Sequence, residues 1–310
     1  MAENLGPKEV KAEGEAAEPP AKAPTKRRIR GKKGVRAEKA PKVEKKAPAP
    51  KPGQVHVYSV DGEPVKIVEL PPVFRAEVRV DLIRRAVTAF QANRRQPYGP
   101  SPKAGMRHSV RWSGKGHGVS RVPRIRGSMT GAQAPGTVGG RQAHPPRPDT
   151  VWAKKINEQE RRLARNAALA ALKDPASVAR RGHRFSDELT LPVVLEDKVE
   201  SLEPEGGATR EGVEILRRLG LSEDVARAKE GRHVRAGRGK MRGRRYRQPR
   251  SLLIVSKEVD RIRRLFGNLP GVDIVSPSGL NAEVLAPGGD PGRLAVFTEG
   301  ALDVLRSWEP

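Results

Sequence analysis

The sequence predicts an α/β fold: a mostly parallel central sheet with helices on both faces, a long extended basic loop, and a disordered N-terminal tail. Three observations give this class. Short apolar, β-branched runs alternate with stretches of helical periodicity through the second half of the chain. No Asp or Glu falls between residues 82 and 148, and from about residue 96 that span is rich in Gly and Pro without a regular period. Residues 1–53 are dominated by Lys, Ala, Pro and Glu.

Taken in chain order, residues 1–53 hold too little apolar surface to offset chain entropy and predict a disordered basic tail. The cluster KRRIRGKK in it is either a nucleic-acid arm or a solvated patch. A single α/β domain is expected over 54–310. It opens with VHVYSV and VKIVEL around the turn signal DGEP, a hairpin. VDLIRRAVTAFQANRR places Leu82, Ile83, Ala86, Val87 and Phe90 at helical spacing, so one face is buried. The segment 96–148 interrupts the domain; loops this long are uncommon unless functional or disordered, and it has no means of folding alone.

Helical character returns at NEQERRLARNAALAALKD. Asn157 with Glu160 fits a capping box, and Leu163, Ala167, Ala170 and Ala171 form a small-residue packing face. Asp174–Pro175 starts a short helix, since proline suits a first turn. LPVVLE is a strand, followed by helices at TREGVEILRRLG and SEDVARAKEGR. SLLIVS is a strand, and SKEVDRIRRLFG a helix capped by Ser256 and closed by Gly267. Then come VDIVS (strand), SGLNAEVL (helix), RLAVF (strand) and TEGALDVLRSW (helix). Strands apolar throughout and separated by helices argue for a parallel sheet covered on both sides.

The formal charge of +25 over 310 residues requires a polyanion, most often nucleic acid or an anionic membrane face. No apolar run approaches the roughly 18 residues needed to span a bilayer, no signal-peptide core is expected, and the chain has no cysteine. A soluble, intracellular protein without disulfides or thiolate metal sites is expected.

The enzyme classes lack their parts. A phosphate loop needs G-x-x-x-x-G-K-[ST] between a strand and a helix, whereas Lys115 is followed by Gly116 and has neither flank. GKGHG and GRGKMRG lack the leading strand of a dinucleotide fingerprint. The six histidines, at 56, 108, 117, 144, 183 and 233, form no i, i+4 pair and no metal-ligand spacing. His183 in ARRGHRF is expected to pack or cap, while His108, His117 and His144 lie where an imidazole could stack on a base. Asp187–Glu188 and Glu196–Asp197 fit solvated turns. No catalytic, metal or cofactor site is expected.

Two acid-free segments remain, the first at 96–148 and the second at 231–250, GRHVRAGRGKMRGRRYRQPR. Solvated faces usually interleave both signs; one sign interrupted by glycine repels itself unless counter-charge is supplied, as RNA phosphate would supply it. Glycine lets the backbone approach closely, and arginine adds bidentate phosphate contacts and stacking on bases. Candidate RNA contacts in the first set are Arg94, Arg95, Arg107, Arg111, Lys115, Arg121, Arg124, Arg126, Arg141 and Arg147. The second set is Arg235, Arg238, Lys240, Arg242, Arg244, Arg245 and Arg247. Trp112 and Tyr246, set among these arginines, are candidates to stack on splayed bases or to pack locally; Tyr98 is a weaker one. No base-reading recognition helix is present, so folded RNA fits better than a DNA groove.

Several long motifs match one family in order. They are DLIRRAV with AFQANRRQPYG, RWSGKGHGVSRVPRIRG, GGRQAHPPRP, ERRLARNAALAAL, GHRF, AGRGKMRGRRYR and LAPGGDPGRLAVFTEGAL. From about Val55 to Trp308 the chain resembles large-subunit ribosomal protein four, the "L-four" family, in its archaeal and eukaryotic form. The resemblance implies an α/β domain on the outside of the large subunit and a loop reaching into its RNA. It implies a loop tip at the narrow part of the nascent-peptide exit tunnel, with Ser113, Gly114, Lys115, Gly116, His117 and Gly118 near the wall. Arg121, Arg124 and Arg126 match the family's RNA-contacting arm. The tail has no clear counterpart in the family pattern. The expected partners are large-subunit rRNA, neighbouring ribosomal proteins and the nascent peptide, with no membrane and no homo-oligomer, in the cytoplasm. The competing readings are an RNA-acting enzyme with a basic channel, which would need a cofactor loop, and an mRNA-binding regulator outside the ribosome.

Overall fold

The computed structural model describes residues 50–202 and 207–308. The predicted tail up to residue 49 lies outside the described residues.

Strands β1 (Gln54–Tyr58) and β2 (Pro64–Glu69) form the expected antiparallel hairpin, with an irregularity between Val57 and Tyr58. Helix α1 (Val80–Asn93) follows. Two three-residue strands, β3 (Val110–Trp112) and β4 (Pro123–Ile125), pair antiparallel inside the acid-free segment. They were not expected there, because three residues are too few for a strand period to register in sequence. Next come α2 (Glu158–Ala170), α3 (Pro175–Arg180), β5 (Val193–Leu195), α4 (Lys198–Ser201), α5 (Ala208–Arg218) and α6 (Ser222–Glu230). The second basic segment holds the pair β6 (His233–Val234) and β7 (Tyr246–Arg247). The chain ends with β8 (Leu253–Val255), α7 (Val259–Phe266), β9 (Asp273–Val275), α8 (Ala282–Leu285), β10 (Ala295–Thr298) and α9 (Glu299–Arg306).

The central sheet runs β2-β1-β5-β10-β8-β9. Only the β1–β2 pair is antiparallel; β1–β5, β5–β10, β10–β8 and β8–β9 are parallel. Strands β5 and β8 are apolar at every position and β10 at all but Thr298, because both faces of these strands are buried. Along β8 and β10, successive side chains go to opposite cores. Leu253, Val255, Ala295 and Phe297 join Ile83, Val87, Leu169 and Leu302 in one cluster. Ile254 and Val296 join Val178, Leu216, Ile262 and Phe266 in the other. Helices α1, α2, α8 and α9 therefore serve the first core and α3, α5 and α7 the second. Phe74 meets Phe297 edge-on at 5.8 Å, a geometry worth about 0.5–1.5 kcal/mol beyond area burial.

Several local expectations are corrected. Asn157 occupies the N-cap of α2 without a side-chain capping bond, and Glu160 reaches Arg85 of α1 at 3.3 Å. Leu163 points outward, while Ala164, Ala167 and Ala168 are buried. These alanines let α2 lie close on α1, and the tertiary ion pair takes the carboxylate the capping box would have used. Ser256 does not cap α7; its hydroxyl donates to Glu200 Oε1 at 2.8 Å, and Glu258 holds the cap position without a side-chain bond. The stretch SGLNAEVL is a short 3-10 turn, Pro277–Gly279, then the four-residue α8, whose cap is Asn281. Asp174 does cap α3, accepting from Ala176 N and Ser177 N.

Candidate nucleic-acid interface

The acid-free segment follows α1 and precedes α2. Its internal contacts are nested. Asn93 Oδ1 accepts from Lys154 N at 2.8 Å, and the Arg95 guanidinium lies 3.8 Å from the centre of the Trp152 ring. Further out, Gly99 packs so tightly on Pro146 and Pro148 that a Cβ would fall 2.5 Å from the Pro146 oxygen, and Gly105 abuts the Arg141 backbone in the same way. Gln133 follows, its amide donating to Met106 O at 3.1 Å and His108 O at 2.6 Å. Last come Arg126 N to Ser109 O at 3.4 Å and the pairing of Trp112 with Pro123. Each contact is enclosed in sequence by the one before it, so the chain folds back on itself around residues 113–122. There Gly114, Gly116 and Gly118 all have positive φ, which side-chain-bearing residues adopt only with strain.

The predicted cations divide into three groups. Arg94 is ion-paired with Glu283, and Arg95 is stacked on Trp152. Arg124 and Arg235 turn back on their own loops: Arg124 donates to the carbonyls of Met129 and Ser120, and Arg235 Nε to Arg244 O at 3.1 Å. The rest are exposed and, among the described residues, have no carboxylate within ion-pair distance. They are Arg107, Arg111, Lys115, Arg121, Arg126, Arg141 and Arg147 in the first segment. In the second they are Arg238, Lys240, Arg242, Arg244, Arg245 and Arg247. Trp112 is 66% exposed on β3 between free cations. Tyr246 is also exposed, but the Arg232 guanidinium lies 4.3 Å from its ring centre, so one face of the ring is covered. Arg232, which belongs to the same run, was missed as a partner of that ring; its position fourteen residues before Tyr246 becomes adjacent only when β6 pairs β7.

The domain beneath treats charge differently. Asp224 is fully buried and accepts from His183 Nδ1 (3.1 Å), Arg184 N (3.1 Å), Arg227 Nε (2.9 Å) and Ser251 Oγ (2.7 Å). Burial alone would raise its pKa, but the bonds from His183, Arg227 and Ser251 outweigh that and hold it well below the usual carboxylate range. Ser, His and Asp meet here, yet the wiring is not a nucleophile relay: Ser251 donates to the carboxylate instead of to the histidine. His183 thus has the packing role expected of it. Among the described residues no group of His, Asp and Glu is placed to hold a metal ion. No helix of the described residues is long and apolar enough to cross a membrane.

The model of the Ribosomal protein L4/L1 family matches residues 68–308. The chain is 47% identical over 253 residues to "Large ribosomal subunit protein uL4" of Thermoplasma acidophilum, covering 82% of this chain and 97% of that protein. It is 49% identical over 254 residues to the same-named protein of Methanopyrus kandleri (80% and 96% covered). With that of Methanothrix thermoacetophila it shares 52% over 249 residues (80% and 97%). The family match spans both basic hairpins, and the chain belongs to the Ribosomal protein L4/L1 family, in its archaeal form.

Proposed function

We propose that this protein is a structural constituent of the large ribosomal subunit, binding and stabilising its RNA by charge neutralisation and shape without catalysing a reaction. The observation that carries this is the two acid-free hairpins, whose exposed Arg and Lys side chains have no carboxylate within ion-pair distance among the described residues. A phosphate backbone releases its condensed counterions when such free cations bind it, which drives the association. The family membership supports the same reading, since the relatives are named as large-subunit proteins.

On this reading the segment at 96–148 is an extended, RNA-penetrating loop, and the nested contacts along it support a two-limbed arm. Exposed Arg111, Arg121 and Arg126 contact RNA along the arm, and Trp112 stacks on a base. The tip, Ser113 to Gly118, lines the exit tunnel, with Lys115 as a charge on its wall facing the nascent peptide. Tyr246 stacks between Arg232 and a base in the second segment. The protein acts as a single copy, in cytoplasmic ribosomes, held by rRNA and neighbouring ribosomal proteins. The test is co-sedimentation: the chain is expected to remain with large subunits through a high-salt wash that strips loosely bound protein, and its release into the supernatant would reject the assignment. A companion measurement is the affinity for a large-subunit rRNA transcript, expected to fall linearly on a log–log plot against salt.

A further inference from the structure

A third basic surface lies on the folded domain, outside the two acid-free segments except for one edge. It is a cleft of about 710 Å³ between α1, the end of α3, α6 and the strand that leads from β7 back to β8. Arg84, Arg180, Arg181, Arg227, Arg247 and Arg250 line it, against a single carboxylate, Asp290. Three of the six are already neutralised: Arg84 by Asp290 at 3.0 Å, Arg227 by Asp224 and Arg250 by Asp273. The other three have no carboxylate partner among the described residues. Arg181 is held by backbone carbonyls alone, those of Pro287 and Asp290, while Arg180 and Arg247 are exposed and unpaired. Carbonyls fix a guanidinium in place without cancelling its charge, so the cleft keeps about three net positive charges on rigid elements. Burial pushes the Arg181 guanidinium down from its ordinary value, Asp290 opposes that, and Arg227 adds to it. The fold thus holds a partly desolvated guanidinium that a bound anion would stabilise.

We infer that this cleft is a preformed site for the RNA sugar–phosphate backbone, with Arg180, Arg181 and Arg247 as the phosphate ligands. It rests on the ribosomal reading and adds to it an anchor on the domain itself. The two hairpins contact RNA from loops, whereas this site holds a phosphate between packed helices. Arg247 joins the two, standing both in β7 and on the rim of the cleft.

The test uses the full chain and a large-subunit rRNA transcript, with poly-glutamate as a second probe. Arg180→Glu breaks no ion pair of the described structure, so its unfolding midpoint should match wild type. It should weaken RNA binding about tenfold and flatten the log–log salt slope by about one, as expected when one phosphate contact is lost. Asp290→Asn removes the only carboxylate in the cleft and should tighten RNA binding about threefold, the opposite sign from structural damage. Unchanged affinity and slope in Arg180→Glu, alongside weakened binding in a Lys115→Ala/Arg121→Ala chain, would overturn the cleft and leave the ribosomal reading standing. Absence of salt-dependent RNA binding in the wild-type chain would overturn that reading as well. Poly-glutamate binding as tight as RNA at equal salt, and lost in Arg180→Glu, would reassign the cleft to an acidic protein.

Discussion

Arg293 and Arg121 carry the same guanidinium in opposite settings. Arg293 is 1% exposed beneath β8, donating to the carbonyls of Ser251, Leu252 and Val284 and to Asp273 Oδ2 at 2.7 Å. Burial pushes its pKa down and the Asp273 carboxylate opposes that, so a charge that would be costly in the interior is kept by four acceptors around one side chain. Arg121 stands exposed in the acid-free segment with no carboxylate partner among the described residues. The buried Arg293 finds its acceptors inside the fold, whereas exposed cations such as Arg121 leave theirs to be supplied by another molecule. Between these extremes, Arg124 and Arg235 spend their charge on loop carbonyls, giving each hairpin a shape without neutralising it.

Substitutions can break this contrast from either side. The largest effect is expected in the buried network, where Asp224→Ala should cost about 3–5 kcal/mol in urea unfolding, because it strands His183, Arg227 and Ser251 without their acceptor. The sign with pH follows from the depressed carboxyl. Its stabilisation is complete above the unfolded value of about 3.9 and is lost as pH falls toward the lower folded value. The gap between wild type and Asp224→Ala should therefore be constant near neutrality and shrink below about pH 4; a gap that widened with acid would contradict the network.

On the other side of the contrast, Arg111→Ala/Lys115→Ala/Arg121→Ala should leave the unfolding free energy in urea within about 0.5 kcal/mol of wild type, since none of the three has an ion pair to lose among the described residues. The same chain should lose about two to three from the log–log salt slope for rRNA binding, roughly one per phosphate contact. A smaller effect is expected for Trp112→Ala, about 1–3 kcal/mol in affinity for a stacked base with no change in unfolding. Smallest is Gln133→Ala. It removes two bonds that tie the limbs of the arm together and should raise protease cleavage near residues 106–108 while global stability moves by less than about 1 kcal/mol.

The elements of the sheet were legible because their signals are local. VHVYSV and VKIVEL announce a hairpin by β-branching and a DG turn, and RLAVF and SLLIVS announce buried strands by having no polar alternation. Ser256 and Asn157 misled for a complementary reason: both residue types cap helices on their own, but here Glu200 claims the Ser256 hydroxyl and Arg85 claims the carboxylate at Glu160. The candidate interface was legible as composition and not as geometry. Arg94 and Arg111 look alike in an acid-free run, yet Glu283, far along the chain, neutralises only the first.

By itself the sequence determined the class of fold, the two segments where positive charge has no local answer, and the absence of a nucleotide loop or metal spacing. These depend on residue type and short-range order, which periodicity and charge counting read directly. Only the tertiary structure decided which arginines remain free, because a guanidinium is neutralised by whatever acceptor the fold brings within about 3 Å, at any sequence distance. It alone shows Arg232 on Tyr246, the nested contacts within residues 93–154, and the cleft where Arg180 at the end of α3 and the adjoining Arg181 meet Arg247 from β7.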